Sequence, residues 1–216
     1  MKSKYLLGIA FLVAVTFSCK DGHAVPYYFS CITNNTIAAA EIGEAQLWVD
    51  VTDAGESGVL FTFHNDGPEA SSITDVYFDD GHLLGISSIT GSDGVSFSRP
   101  ASPPNLPGGN AVDFSATAGF LADSDPPVQK NGVNPGEWLN IYFNLINGAT
   151  FENVIADLDS GELLRIGIHV QGFAGGGSES FVNATNATAP VPEPATMILI
   201  GSGLIGLAAL RKKFGK

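Results

Sequence analysis

The sequence predicts an all-β protein: an antiparallel β-sandwich of immunoglobulin-like or jelly-roll type with one short helix, framed by an N-terminal signal peptide and a C-terminal transmembrane helix. Three observations predict it. Short stretches alternate apolar and polar residues with period two, turn signals separate them, and only one segment has helical spacing.

Taken in order, residues 46–52 place Leu47, Val49 and Val51 on one face, and residues 59–64 do the same with Val59, Phe61 and Phe63. Residues 138–145 point Leu139, Ile141, Phe143 and Leu145 one way and Asn140 and Asn144 the other. Residues 164–171 set Leu164, Ile166, Ile168 and Val170 against Arg165, Gly167, His169 and Gln171. Each pattern is that of a half-buried strand with one wet face. Asn65-Asp66-Gly67-Pro68, Asp80-Gly81, Asp93-Gly94 and Asn134-Pro135-Gly136 supply the turns between them. The helix falls at 151–159, with Phe151, Val154, Ile155 and Leu158 on one face, Thr150 able to cap it and Gly161 able to end it. Residues 98–137 hold seven of the chain's 12 prolines and little periodicity, so they read as a long loop that is functional or ordered by packing.

Domain limits follow: a signal peptide at 1–24, an ectodomain at 25–181, a flexible stalk at 182–190 and a sorting and anchoring segment at 191–214. Charge separates these regions. Only Arg99, Lys130 and Arg165 are basic between residues 25 and 190, against twenty acids, which leaves that stretch at −17. Binding phosphates needs a cationic face, so nucleic acid is excluded as a partner.

Lys2 and Lys4 precede a ten-residue apolar run at 6–15, and Gly22-His23-Ala24 offers small residues for cleavage after Ala24. That layout predicts passage through the Sec translocon and removal by signal peptidase. Cleavage there leaves Cys31 alone, read as a buried thiol; a cut after Ser18 would keep Cys19 and allow a Cys19–Cys31 disulfide. At the other end, residues 195–210 are uncharged and mostly apolar, about 24 Å as a helix, and the cluster after them predicts a cytoplasmic C-terminus.

Pro192-Glu193-Pro194, the apolar run and Arg211-Lys212-Lys213, in that order, resemble the PEP-CTERM sorting signal of Gram-negative bacteria. The resemblance covers about the last 25 residues. It implies an exosortase as processing partner, transient anchoring in the inner membrane by the C-terminal helix, and a destination at the cell surface or in the extracellular matrix. It also implies an association with exopolysaccharide and biofilm.

Catalytic motifs are missing from the ectodomain: there is no Gly-x-Ser-x-Gly elbow, no phosphate loop and no His-Glu-x-x-His spacing. No catalytic residue and no cofactor are therefore assigned. His64 and His169 lie on the polar phases of their strands and read as surface histidines, and His82 follows a turn. Calcium is the one metal with candidate ligands, Asp79, Asp80, Asp123, Asp125, Asp157 and Asp159, since turns often present hard oxygen ligands; Asp also populates turns for conformational reasons alone. Trp48, Tyr77, Trp138 and Tyr142 form a candidate sugar-stacking set, with burial under a loop as the competing explanation. The function expected is a non-enzymatic structural or adhesive role. A carbohydrate-binding module, aided by Ca²⁺, is the first alternative, and a polysaccharide hydrolase using paired carboxylates the second.

Overall fold

The computed structural model describes residues 24–184 apart from Glu56, Gly81 and His82. The signal peptide before Ala24, the sorting segment and the apolar run at 195–210 lie outside the described residues. Among those described, no helix is long and apolar enough to cross a membrane.

The chain begins with β1 (Ala24–Cys31), α1 (Ile37–Gln46), β2 (Leu47–Asp53), β3 (Gly58–Asn65), β4 (Ser72–Asp80) and β5 (Leu83–Gly91). It continues with β6 (Phe97–Ser98), a 3₁₀ turn at Gly109–Val112, β7 (Leu121–Ser124) and α2 (Val128–Asn131). The last elements among the described residues are β8 (Trp138–Leu145), α3 (Phe151–Ser160), β9 (Leu164–Gln171) and β10 (Ser178–Asn183). The ten strands form one antiparallel sheet in the order β5-β8-β3-β2-β1-β10-β9-β4-β7-β6.

The sheet turns at β1. Ala24–Tyr28 pair with β2, whereas Phe29–Cys31 pair with β10, so one strand belongs to both halves. The halves fold to face each other, and the end strands β5 and β6 approach, leaving the sheet nearly closed. Phe78 on β4 meets Phe61 on β3 and Phe143 on β8 edge-on, at centroid distances of 4.9 and 4.7 Å. Edge-to-face packing of this kind adds about 0.5–1.5 kcal/mol per pair beyond the area it buries.

The four strands and the helix expected from periodicity all form. Val49, Val51, Val59, Phe61, Phe63, Ile141, Phe143, Ile166, Ile168 and Val170 are fully buried, because alternation puts each on the inward face. In α3 the Thr150 N–H donates to Asn153 Oδ1 at 2.9 Å, and Gly161 ends the helix at φ 66°.

Three elements escape the pattern. In α1 the packing face is made of Ala39, Ala40 and Gly43, too small to register as an apolar stripe. A Cβ on Gly43 would lie 2.1 Å from Phe181 Cζ, so that small size is what lets the helix seat. In β4 both faces are buried and a bulge interrupts the register between Ile73 and Asp75. β10 carries buried Glu179, Ser180 and Asn183 in place of alternating hydrophobics. It also runs through Val182 and Asn183, so the stretch expected to be a stalk from residue 182 starts inside a strand: Val182 pairs with Ser30, and Asn183 Oδ1 accepts the Ile166 N–H at 2.7 Å.

The proline-rich segment is ordered by packing. Ala101, Leu106 and Phe114 form a second small core with Tyr77, Leu121 and Val182 on the outer face of the β4–β9–β10 half. Gly167 leaves the space: a Cβ there would stand 2.7 Å from Leu106 Cδ2 and 3.0 Å from Phe114 Cζ. Arg165 fastens the same segment, donating to the Val112 and Asp113 carbonyls, pairing with Asp79 and lying 5.3 Å over the Phe114 ring.

Candidate functional site

The outer face of the β1–β2–β3–β8 half carries a row of rings. Register places Tyr28 opposite Trp48, Trp48 opposite His64, and His64 opposite Trp138. Trp48 and His64 stack with centroids 4.1 Å apart and planes 11° from parallel. Trp48 Nε1–H donates to Asp66 Oδ2 at 2.8 Å, which fixes the indole. His64 Nε2 lies 3.8 Å from Asp50 Oδ2, too far for a hydrogen bond. Burial lowers the His64 pKa and outweighs the opposing charges of Asp50 and Asp66, so the imidazole is neutral at pH 7. Trp138 is the exposed end of the row, at 36%.

Beside Asp66 the row adjoins an open cleft of about 490 Å³. Helix α1 lines one wall with Ala38, Glu41, Ile42 and Ala45, and Pro68 and Glu69 line the other. Its base is held by a buried network in which Gln46 Nε2 donates to Asn65 Oδ1 and Ser71 Oγ, at 2.9 and 2.7 Å. Carboxylates and apolar side chains line this cleft, and Asp66 is the residue that joins it to the ring row.

The four aromatics expected as one set divide. Trp48 and Trp138 share the ring row, and Tyr142 lies on the same face over Gly58, where a Cβ would meet its hydroxyl at 2.1 Å. Tyr77 sits on the other half of the sheet, fully buried under the proline-rich segment and donating to the Pro103 carbonyl at 3.1 Å. His64, which links the two tryptophans, was expected only as a surface residue; it is half-buried and stacked.

A second polar row crosses the opposite half. Asp123, Asp75, His169 and Ser180 lie directly opposite one another across β7, β4, β9 and β10. Asp75 Oδ2 is 3.1 Å from His169 Nδ1 and accepts the Thr74 hydroxyl at 2.8 Å. Burial, then the neighbouring Asp75 charge, raises the Asp123 pKa to about 6. His169 is therefore an engaged, half-buried residue and not the free surface histidine its phase implies. Ser180 is 1% exposed and its Oγ has no hydrogen-bond partner among the described residues. A nucleophilic serine needs a bonded base and an open approach, and Ser180 has neither.

The six candidate calcium ligands are not gathered. Asp79 is paired with Arg165, Asp125 accepts Ser96 Oγ at 2.6 Å and Asp159 accepts the Tyr27 hydroxyl at 3.0 Å. Asp80 is buried at the end of β4, Asp123 faces Asp75, and Asp157 lies on α3. Among the described residues no group of three or more His, Cys, Asp or Glu could hold a metal ion.

Cys31, expected as a buried lone thiol, is half-buried and forms no disulfide among the described residues; its Sγ is 3.6 Å from Glu179 Oε2. Burial raises its pKa, which keeps it a poor nucleophile. Glu179 accepts the Thr33 hydroxyl at 2.6 Å and the Asn35 and Thr36 N–H groups at 2.9 and 2.7 Å, tying β10 to the start of α1.

Pro192, Glu193, Pro194, Arg211, Lys212 and Lys213 lie outside the described residues but inside the one stretch that matches a known family. Residues 190–213 match the family described as the PEP-CTERM protein-sorting motif. The chain carries a PEP-CTERM sorting signal. That motif marks the chain as an exported protein targeted to an exosortase. No curated protein and no solved structure matches the chain.

Proposed function

We propose that this PEP-CTERM protein is a non-enzymatic structural or adhesive component of the cell surface or extracellular matrix of a Gram-negative bacterium, linked to exopolysaccharide and biofilm. The sorting motif at residues 190–213 carries the reading. The Sec translocon exports the chain, signal peptidase removes residues 1–24, the apolar segment at 195–210 holds it in the inner membrane, and exosortase then releases or transfers the sandwich-like ectodomain. Cleavage after Ala24 costs the fold little, because Ala24 is exposed and is the first residue of β1.

Intact mass of the protein from supernatant and membrane fractions, in strains with and without exosortase, tests this. Loss of both the leader and the tail beyond Pro-Glu-Pro, only when exosortase is present, is expected. A tail retained in both strains refutes the sorting route.

The ring row and its cleft favour a second, compatible reading as a carbohydrate-binding module. A domain at −17 repels acidic glycans unless cations such as Ca²⁺ bridge them, so neutral polysaccharide is the expected direct ligand. Replacing Trp48 and Trp138 together with Ala should abolish retention on isolated exopolysaccharide. Unchanged retention removes the ring row from the reading.

A further inference from the structure

The proline-rich segment covers more than an apolar patch. Strand phase puts Asp75 and Asp123 on the outer face of the β4–β9–β10 half, together with Tyr77 and Leu121. The outer face of such a sheet is ordinarily wet, yet Asp75 is 3% exposed, because the cover lies across it. Two contacts join that cover to the acid pair. The Tyr77 hydroxyl lies 3.4 Å from Asp75 Oδ1 and donates to the Pro103 carbonyl, and the Ser102 N–H donates to the Asp123 carboxyl.

The two carboxyls are not equivalent. Asp75 is well supplied with donors: its Oδ2 accepts the Thr74 hydroxyl at 2.8 Å and lies 3.1 Å from His169 Nδ1. Asp123 is faced by Asp75 and Tyr77 on β4 and by Ser98 on β6, with the backbone N–H groups of Ser102 and Ser124 as donors. Those N–H groups favour the ionised carboxylate, but burial and the Asp75 charge outweigh them, so Asp123 is the carboxyl that takes a proton under the cover. That proton removes the like charge and gives Asp123 an O–H to donate to Asp75. Without it, two facing carboxylates are held out of water, and opening the cover hydrates them.

We propose that the Asp75–Asp123 pair is a proton-operated latch on the proline-rich cover: a proton between the two carboxyls keeps it closed, and ionisation of both opens it and bares the outer face around Tyr77 and His169. The latch stands independently of the sorting and glycan readings. Asp123 titrates at about 6 when covered, whereas a hydrated carboxyl titrates near 4. By linkage, the advantage of the closed cover is full below about pH 4 and is lost as pH rises to about 6. Two units correspond to about a hundredfold in the opening equilibrium. Asp75 stays beside Asp123 when the cover opens, and Asp123 is partly exposed, so about tenfold is expected.

Hydrogen exchange of the full chain in detergent at pH 4.5 and 7.5, normalised to intrinsic rates and read by mass spectrometry, tests the latch. Residues 99–108 should lose about tenfold in protection at the higher pH, while β2 and β3 change less. Asp123→Asn keeps the pair free of its second charge at both pH values, so the cover should stay protected at both. Asp75→Asn removes the facing charge and should shrink the response. His169→Gln keeps a donor beside Asp75 that cannot change charge, and should leave the response in place. A cover equally protected at both pH values, a response that survives Asp123→Asn, or one lost in His169→Gln overturns the proposal. A change of equal size in β2, β3 and the cover also overturns it, since the pair would then govern the whole domain and not the cover.

Discussion

Asp75 and Asp123 face each other directly across the β4–β7 pair, two carboxylates in register on one face of a sheet. Burial first, and the like charge of Asp75 second, push the Asp123 pKa up to about 6.

Stability should therefore rise on mild acidification. The folded protein binds a proton at Asp123 that the unfolded chain, with a carboxyl pKa near 4, has already released. Between about pH 4 and pH 6 the folded state holds more protons, so this contribution falls as pH rises through that window and is flat above it. Asp123→Asn should raise stability at pH 7.5 by about 1 kcal/mol, a figure reduced for solvent screening of a partly exposed group, and should flatten the pH 4–6 dependence. Urea unfolding at pH 5 and pH 7.5 reads both effects.

Glu179 behaves in the opposite sense. Burial alone would raise its pKa, but bonds from Thr33, Asn35 and Thr36 outweigh that and leave it lowered. Its contribution is present above the unfolded carboxyl pKa and is lost as pH falls through the lowered folded value. Glu179→Ala strands buried donors at the start of α1 and should cost about 2–4 kcal/mol. Glu179→Gln should cost less and shallow the acid transition below pH 4; an acid titration followed by circular dichroism would show an unchanged transition if the carboxylate were idle.

Gly167→Ala should loosen the proline-rich cover more than it destabilises the domain. The added methyl meets Leu106 and Phe114 side chains, not the phenylalanine core between the half-sheets. Limited proteolysis should cut within residues 99–120 at least tenfold faster than in the parent, with a global loss of about 1–3 kcal/mol. A larger global loss with no change in local cleavage contradicts this division.

Replacing Glu193, or deleting Arg211-Lys212-Lys213, should leave the chain with its C-terminal tail uncut in the inner membrane fraction. Immunoblots of fractionated cells would show the processed form vanish. Normal release of both variants is incompatible with sorting by this motif.

The inward faces of β8 and β9 are readable because one half of each alternating pattern is uniformly large and apolar. Helix α1 is not, since Ala39 and Gly43 bury closely without looking hydrophobic, and β4 is not, since Asp75 and Tyr77 are as buried as Val76 and Phe78. At the candidate site, the phase of Trp48 and Trp138 placed both on an outer face. Their link through His64 depends on strand register, which no local pattern encodes. Tyr77 shares only their residue type, and the packing of Leu106 and Phe114 above it sets it apart. Asp75 belongs to no motif; its partners Asp123 and His169 are 48 and 94 positions away.

On the proposed Sec route the strand shared by both half-sheets, β1, emerges first and its partner β10 last. Closure of the barrel-like sheet must wait for nearly the whole ectodomain to emerge, a non-local step that favours slow assembly. Only ten residues separate Ala184 from the apolar segment that begins at residue 195, a tether of at most about 40 Å. With that segment held in the membrane as proposed, the final zippering of Phe29 against Asn183 takes place within one protein diameter of the bilayer. Folding and membrane arrest are then nearly simultaneous events, and a processing enzyme in that membrane meets its substrate with the domain just completed.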